Sequence, residues 1–162
     1  MSIFMKIDGI EGNASDKNYI GWLTLISFSW RAQRKITSAS STRGDRESSN
    51  TAISDLSFNR YMDKATTDLF KAACCGKGST IKLVKTKTGT GNGADPFIEY
   101  TLHNAIVSHY AVDADGDPGL IPREHLRLSF TAVEVRYTSY DDKGNIITSA
   151  SQGFDAATNT RL

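Results

Sequence analysis

Asp113, Asp115, Asp117 and Glu124 fall at positions 1, 3, 5 and 12 of a calcium-binding loop, a spacing at which oxygen ligands could converge. Position 6 of such a loop needs glycine for its sharp turn, and Pro118 stands there with its φ locked. Strand-like patterns flank the segment, where the calcium motif has helices. An acidic turn stiffened by Pro118 and Pro122 fits the residues better than a metal site. The three histidines, His103, His109 and His125, are no stronger a constellation. His103 and His109 share strand parity, yet in an extended chain they lie about 20 Å apart. No cysteine or carboxylate completes a metal set at familiar spacing.

Other local patterns fail on similar grounds. Cys75-Gly76-Lys77-Gly78-Ser79 superficially resembles a phosphate-binding loop, but the earlier glycine is missing and the segment ends a helix instead of starting one. Gly89 to Gly93 lacks the following helix that a phosphate cradle requires and reads as a hairpin loop. No Gly-x-Ser-x-Gly elbow occurs. Lys82, Lys85 and Lys87 read as a basic, solvated strand face. Cys74 and Cys75, adjacent in a helix, cannot readily bridge each other and read as small buried thiols. The expectation is a protein that is not an enzyme, with no catalytic residues, no metal and no cofactor.

The elements that would carry these residues are mostly strands. Leu56 and Phe58 alternate with Asp55 and Ser57, and this strand runs into one helix at about residues 66–75. Thr66 is its candidate cap, Asp68 suits the positive end of the helix dipole, and Gly76 is a natural stop. Leu69, Phe70 and Ala73 form its apolar stripe. Elsewhere Ile3, Met5 and Ile7 alternate with Phe4 and Lys6. Ile20, Trp22, Ile26, Phe28 and Trp30 share one parity, with Ser27, Ser29 and Arg31 on the other. Ile81 and Leu83 begin a strand ending in the turn signal at 88–96, and Ile98, Tyr100, Leu102 and Ile106 line the next. Leu126, Leu128, Phe130 and Ala132 hold one parity before Val133, Val135 and Tyr137 take the other, which predicts a bulge or corner. A turn at Asp141 to Gly144 leads to a terminal strand around Ile146 to Ala150. The polar stretch 37–50 is too long for a tight hairpin and too poor in apolar groups to pack, so it is a projecting arm or a loose loop. The sum is a mostly β, antiparallel barrel or sandwich with one α-helix.

At 162 residues the chain is read as one domain, 1–162. Such a chain buries roughly two-thirds of its unfolded surface. Lys and Arg total 19 against 18 for Asp and Glu, so no net field favours nucleic acid or an anionic membrane. The N-terminus has no apolar core of the kind a cleaved signal needs, and no run is long enough to insert in a membrane. Synthesis in a reducing cytoplasm is expected.

DLSF at 55–58, Tyr61, DKAT at 63–66 and CGKG at 75–78 together resemble the haemolysin-coregulated protein (Hcp) family, the tube subunits of the bacterial type VI secretion system. MKIDGIEGNASD near the start, LISFSW at 25–30, LHNAIVSHY at 102–110, LRLSFTAVEVRY at 126–137 and YDDKGN at 140–145 extend the likeness in order along most of the chain. The resemblance implies a homohexameric ring and rings stacked into a tube. Its partners would be a contractile sheath around the tube, a spike protein at the tip and effector proteins in the lumen. It further implies assembly in the cytoplasm and release to the outside or into a target cell without a cleaved signal.

Two sets of residues follow as candidates. Ser27, Ser29 and Arg31 lie opposite the aromatic parity and face either the lumen, where they would meet cargo, or solvent. Arg43, Asp45, Arg46 and Glu47 in the polar stretch would contact the adjacent ring, since the family's corresponding loop reaches there. That stretch carries more serine and charge than the family's glycine-rich version. Two rival readings are a toxin or hydrolase and a calcium-dependent adhesive sandwich. The 17-residue tail after Asn145 is too short for an enzyme, and the second rival rests on Asp113 to Glu124 alone.

Overall fold

The computed structural model describes residues 1–37, 47–48, 50–88 and 91–162. Its strands in chain order are β1 (Ile3–Ile7), β2 (Leu23–Leu25), β3 (Ser27–Ser29), β4 (Ala32–Gln33), β5 (Ile36–Thr37), β6 (Glu47–Ser48), β7 (Ala52–Ile53) and β8 (Leu56–Tyr61). Helix α1 (Thr66–Cys75) follows, then β9 (Ser79–Lys87), β10 (Asp95–Asp113), β11 (Arg123–Ser129), β12 (Ala132–Tyr140), β13 (Ile146–Asp155) and β14 (Thr160–Arg161). Every pairing is antiparallel.

Two layers share the 19-residue β10. Its first half lies between β9 and β12 in a larger sheet that continues through β1 to β2 and through β13 to β14. Its second half pairs with β11, and β8 and β3 complete a smaller sheet in the order β10, β11, β8, β3. Among the described residues the ladder does not close, because β2 and β3 each end a branch without pairing with each other. The architecture is therefore a sandwich, and the barrel alternative is set aside. Met5, Leu23, Leu83 and Leu102 from the larger sheet meet Leu56, Phe58, Leu126 and Leu128 from the smaller one, with Leu69 of α1 closing the core.

Three chain segments change sheet, and at each the buried parity flips. Leu23 and Leu25 are buried before a bend at Ile26, after which Phe28 and Trp30 pack on the core. Leu102 is buried before Asn104, which takes φ 50°, and Ala105 and Val107 are buried after it. Leu128 is buried before the break at Phe130 and Thr131, and Val133 after it. Side chains alternate strictly along a strand, so a corner is the only way to keep both halves facing one core.

These corners correct several expectations. Ile20 and Ile26 do not share a core face with Phe28; they are 71% and 40% exposed. Trp22 packs on the outer side of the larger sheet with Phe4, Tyr19 and Val84 instead. Ile106 is exposed because it follows the Asn104 corner. Lys82 shares the Val84 face, whereas Lys85 and Lys87 lie over the rings of Phe97 and Tyr140, so the three lysines form no common face. The terminal strand extends to Asp155, with β14 added.

Helix α1 has the expected span, Asp68 in its first turn and Leu69 at its buried centre. Its cap is organised differently from the expected one. The Asp63 carboxylate accepts the Ala65 N–H at 2.8 Å, and Thr66 Oγ1 accepts the Asp63 N–H at 3.2 Å, a reciprocal pair that starts the helix. Gly76 ends it, since a Cβ there would stand 2.4 Å from the Ala72 carbonyl oxygen. Phe70 is exposed and lies edge-on to Tyr110, leaving Leu69 and Ala73 as the core contacts. Cys74 and Cys75 are exposed, not buried.

Candidate functional site

The outward face of the smaller sheet is built by the residues that alternate with its core. Leu56, Phe58 and Arg60 of β8 point in, so Ser57, Asn59 and Tyr61 point out. Glu124, Leu126 and Leu128 of β11 point in, leaving Arg123, His125 and Arg127 outside. Register then sets these residues in rows across the strands. Ser27, Asn59, His125 and Ala111 form one row, and Ser29, Ser57, Arg127 and His109 the next. Tyr61, Arg123 and Asp113 make a third.

Hydrogen bonds run along the first row. Asn59 Nδ2 donates to Ser27 Oγ at 2.9 Å, and the His125 ring spans Asn59 Oδ1 on one side and Asp113 Oδ2, 2.7 Å away, on the other. A bulge between Val107 and His109 frees Ser108, whose hydroxyl donates to Asp55 Oδ2 at 2.8 Å. The Arg123 guanidinium lies 5.5 Å from the centre of the Tyr61 ring. The face thus combines small hydroxyls, tied-down carboxylates and outward arginines, with Ala111 and Tyr61 its main apolar surface.

Ser27 and Ser29 lie on this face, Ser27 half-buried and Ser29 exposed. Arg31 is exposed two residues past the end of β3, and its backbone N–H donates to Ser54 Oγ at 2.9 Å. Asn59, Arg123 and Arg127 were not singled out from the sequence, and His125 only as a rejected metal ligand, although their alternation with buried leucines marks them as outward-facing. Arg43, Asp45 and Arg46 lie outside the described residues. Glu47 is described in backbone only, paired with Thr37 in the ribbon of β5 and β6. That ribbon and the pair β4–β7 form the base of an arm, with residues 31–36 exposed along it.

The metal-like patterns are dispersed. Glu124 is turned into the core, where its Oε2 accepts from Arg60 Nη1 at 3.1 Å and its Oε1 from Thr66 Oγ1, so it cannot join Asp113, Asp115 and Asp117. Among the described residues no three His, Cys, Asp or Glu side chains gather as a metal site. His103 contacts Glu134 at 2.8 Å on the larger sheet, far in register from His125 and His109. These imidazole–carboxylate pairs would orient a base in a hydrolase, but among the described residues neither imidazole is bonded to a serine, threonine or cysteine.

Beneath the face, Arg60 is fully buried between Glu124 and Asp63. Its Nη2 meets Asp63 as an ion pair, and its Nε has no hydrogen-bond partner among the described residues. The cluster joins β8, β11 and the start of α1. On the larger sheet, burial pushes the Tyr19 phenol up to about 12, with the negative charges of Glu99 and Asp16 adding to the shift.

Residues 4–137 match the family model for the type VI secretion system effector Hcp. The chain is similar to the protein hcp1 of Pseudomonas aeruginosa, at 27% identity over 138 residues that cover 85% of this chain and 83% of that one. The fold is shared with a structure of a type six secretion system protein at a TM-score of 0.89 and 24% identity, covering 99% of both chains. The crystal structure of Hcp1 from Salmonella typhimurium superposes at a TM-score of 0.78 with 26% identity, over 99% of this chain and 98% of that one.

Proposed function

This chain belongs to the Hcp family of the type VI secretion system, and from that premise we propose that it is a subunit of hexameric rings that stack into the secretion tube. The observation that carries the reading is the open edge at each end of the smaller sheet. Among the described residues, β3 pairs only with β8, and residues 106–113 of β10 pair only with β11. Two unlike edges on one copy suit head-to-tail addition, with β3 of one subunit meeting β10 of the next. Such contacts satisfy edge N–H and C=O groups and close a ring if the rotation per step divides the circle.

In that ring the four-stranded sheets would form a continuous inner wall, with the aromatic core behind it. Ser27, Ser29 and Arg31 would then face the lumen and any effector protein held there. The arm based on β4 to β7, with Arg43, Asp45, Arg46 and Glu47, would reach the adjacent ring. A spike protein would cap the tube and a contractile sheath surround it. The protein would work as a structural carrier and not as an enzyme, assembled in the cytoplasm and delivered outside or into a target cell. Among the described residues no helix is long and apolar enough to cross a membrane.

Size-exclusion chromatography with light scattering, followed by negative-stain imaging, tests this reading. A species of about six subunits with a central hole is expected. Single particles without a hole at every concentration would sink it.

A further inference from the structure

We propose that the exposed Phe70 of α1 seats on the half-covered aromatic end of a second copy's core, against Phe28, Trp30 and Tyr100. The proposal rests on the ring reading above and names the apolar contact that lies behind the joined sheet edges. One core-facing row crosses the whole smaller sheet: Phe28 on β3, Phe58 on β8, Leu126 on β11 and Tyr110 on β10. Its two inner members, Phe58 and Leu126, are each 1% exposed. The two edge members, Phe28 and Tyr110, pack on the core but stay partly open. Each open edge of the sheet therefore ends in a partly covered aromatic ring.

Behind those rings the two edges are unlike. At β10, helix α1 packs along the strand and carries Phe70, 56% exposed, with its ring centre 5.9 Å from that of Tyr110. This edge presents a projecting ring. At β3, Phe28 and Trp30 each lie edge-to-face on Tyr100 at 5.6 Å, and Trp30 meets Phe130 at 6.3 Å. All four are partly buried, so this edge presents an aromatic seat. Four strands that alternate in direction leave β3 antiparallel to the β10 of an adjoining copy, so the ladder continues across the joint without a break. With the rows aligned, the neighbour's Phe28 stands beside Tyr110, and Phe70 comes over the seat. A stagger of two residues keeps the same faces together. Aromatic rings favour edge-to-face and offset contacts of the kind already present at both edges, and joining them removes apolar surface from water. A single copy cannot make this contact, because Phe70 and Trp30 belong to opposite edges of its smaller sheet.

The test uses the full chain. Trp22→Phe leaves Trp30 as the sole tryptophan, and this protein is diluted while light scattering and Trp30 emission are read together. Emission is expected to lie at shorter wavelength in the associated state, where Trp30 has lost contact with water. Phe70→Ala in the same background should keep the circular dichroism and melting temperature of the dissociated chain, since that ring lies outside the core. It should nevertheless raise the concentration at the dissociation midpoint about tenfold or more. Ile147→Ala, which trims a side chain 65% exposed on β13, should leave the midpoint unchanged. Association should also persist in concentrated sodium chloride, unlike a contact held by charge. An unchanged midpoint in Phe70→Ala, an equal loss in Ile147→Ala, a Trp30 emission indifferent to association, or a dissociated Phe70→Ala chain that has lost its fold would overturn the proposal. Rings that survive Phe70→Ala with the same midpoint defeat this contact and leave the ring reading standing. Association that depends on Phe70 but gives particles without a central hole defeats the ring reading and leaves the contact. A wild-type chain that never associates defeats both.

Discussion

Arg60 sits at the most consequential single position in the structure. Its parity with Leu56 and Phe58 turns a guanidinium into the core, where Glu124, equally buried, answers it. A charge in low dielectric is tolerable only when paired, and removing Glu124 would leave the buried Arg60 with Asp63, at the edge of the core, as its remaining carboxylate. Glu124→Ala is expected to destabilise the fold by about 3–5 kcal/mol, whereas Arg60→Met with Glu124→Leu should cost far less. Urea titration of both variants checks this; equal losses would mean that packing and not charge dominates the site. Tyr19 gives a second residue-level expectation. Its phenol ionises at about 12 in the folded protein, against 10.0 for an unperturbed tyrosine. Below pH 10 both folded and unfolded chains keep the proton, so the shift has no effect on stability. Between pH 10 and about 12 the unfolded chain loses a proton that the folded one retains, so stability falls as pH rises. Urea midpoints measured from pH 9 to about 12 should fall less steeply in Tyr19→Phe than in the wild type. Identical slopes would show that Tyr19 is not the group responsible.

At the scale of elements, the corners explain what was legible in the sequence and what was not. The helix could be read because Asp68, Leu69 and Gly76 each act within one turn of their neighbours. The parity change between Phe130 and Val133 was legible for the same reason and does mark a change of sheet. The equivalent changes at Ile26 and Asn104 were hidden. Ile26 continues an even-numbered apolar series into a bend, and Ile106 imitates the parity of Leu102 across a corner. An exposed isoleucine looks the same as a buried one in a sequence, and only the partner strand decides. The candidate face was half legible in the same sense. Ser27 and Ser29 were placed opposite the aromatic residues, but their row-mates on β8 and β11 depend on long-range register. Asn104 tests the corner directly. Its φ of 50° is one that asparagine and glycine adopt readily and β-branched residues do not. Asn104→Gly should therefore be nearly neutral, while Asn104→Val should cost about 1–2 kcal/mol. Equal thermal stability of the two variants would mean the corner is set by its chain neighbours, His103 and Ala105, and not by backbone preference at this residue.

At the scale of the whole molecule, two kinds of assembly contact are separable in the fold. The open edges of the smaller sheet belong to the sandwich body, whereas the arm leaves that body as a narrow ribbon of β4 with β7 and β5 with β6. The core ladder does not depend on the ribbon, since Arg31 and Ser54 pair through backbone and hydroxyl at its root and β8 begins directly afterwards. Shortening the arm should consequently leave the fold and the sheet edges intact. Deleting residues 40–48 is expected to preserve rings by light scattering and to reduce their stacking into tubes in negative-stain images of concentrated protein. Charged pairs supplied by Arg43, Asp45, Arg46 and Glu47 would each contribute only about 0–1 kcal/mol, so stacking should already weaken in high salt before the deletion is made. If the shortened protein loses rings and stacks together, the arm belongs to the lateral contact. The two open strand edges would then not be sufficient to close the ring.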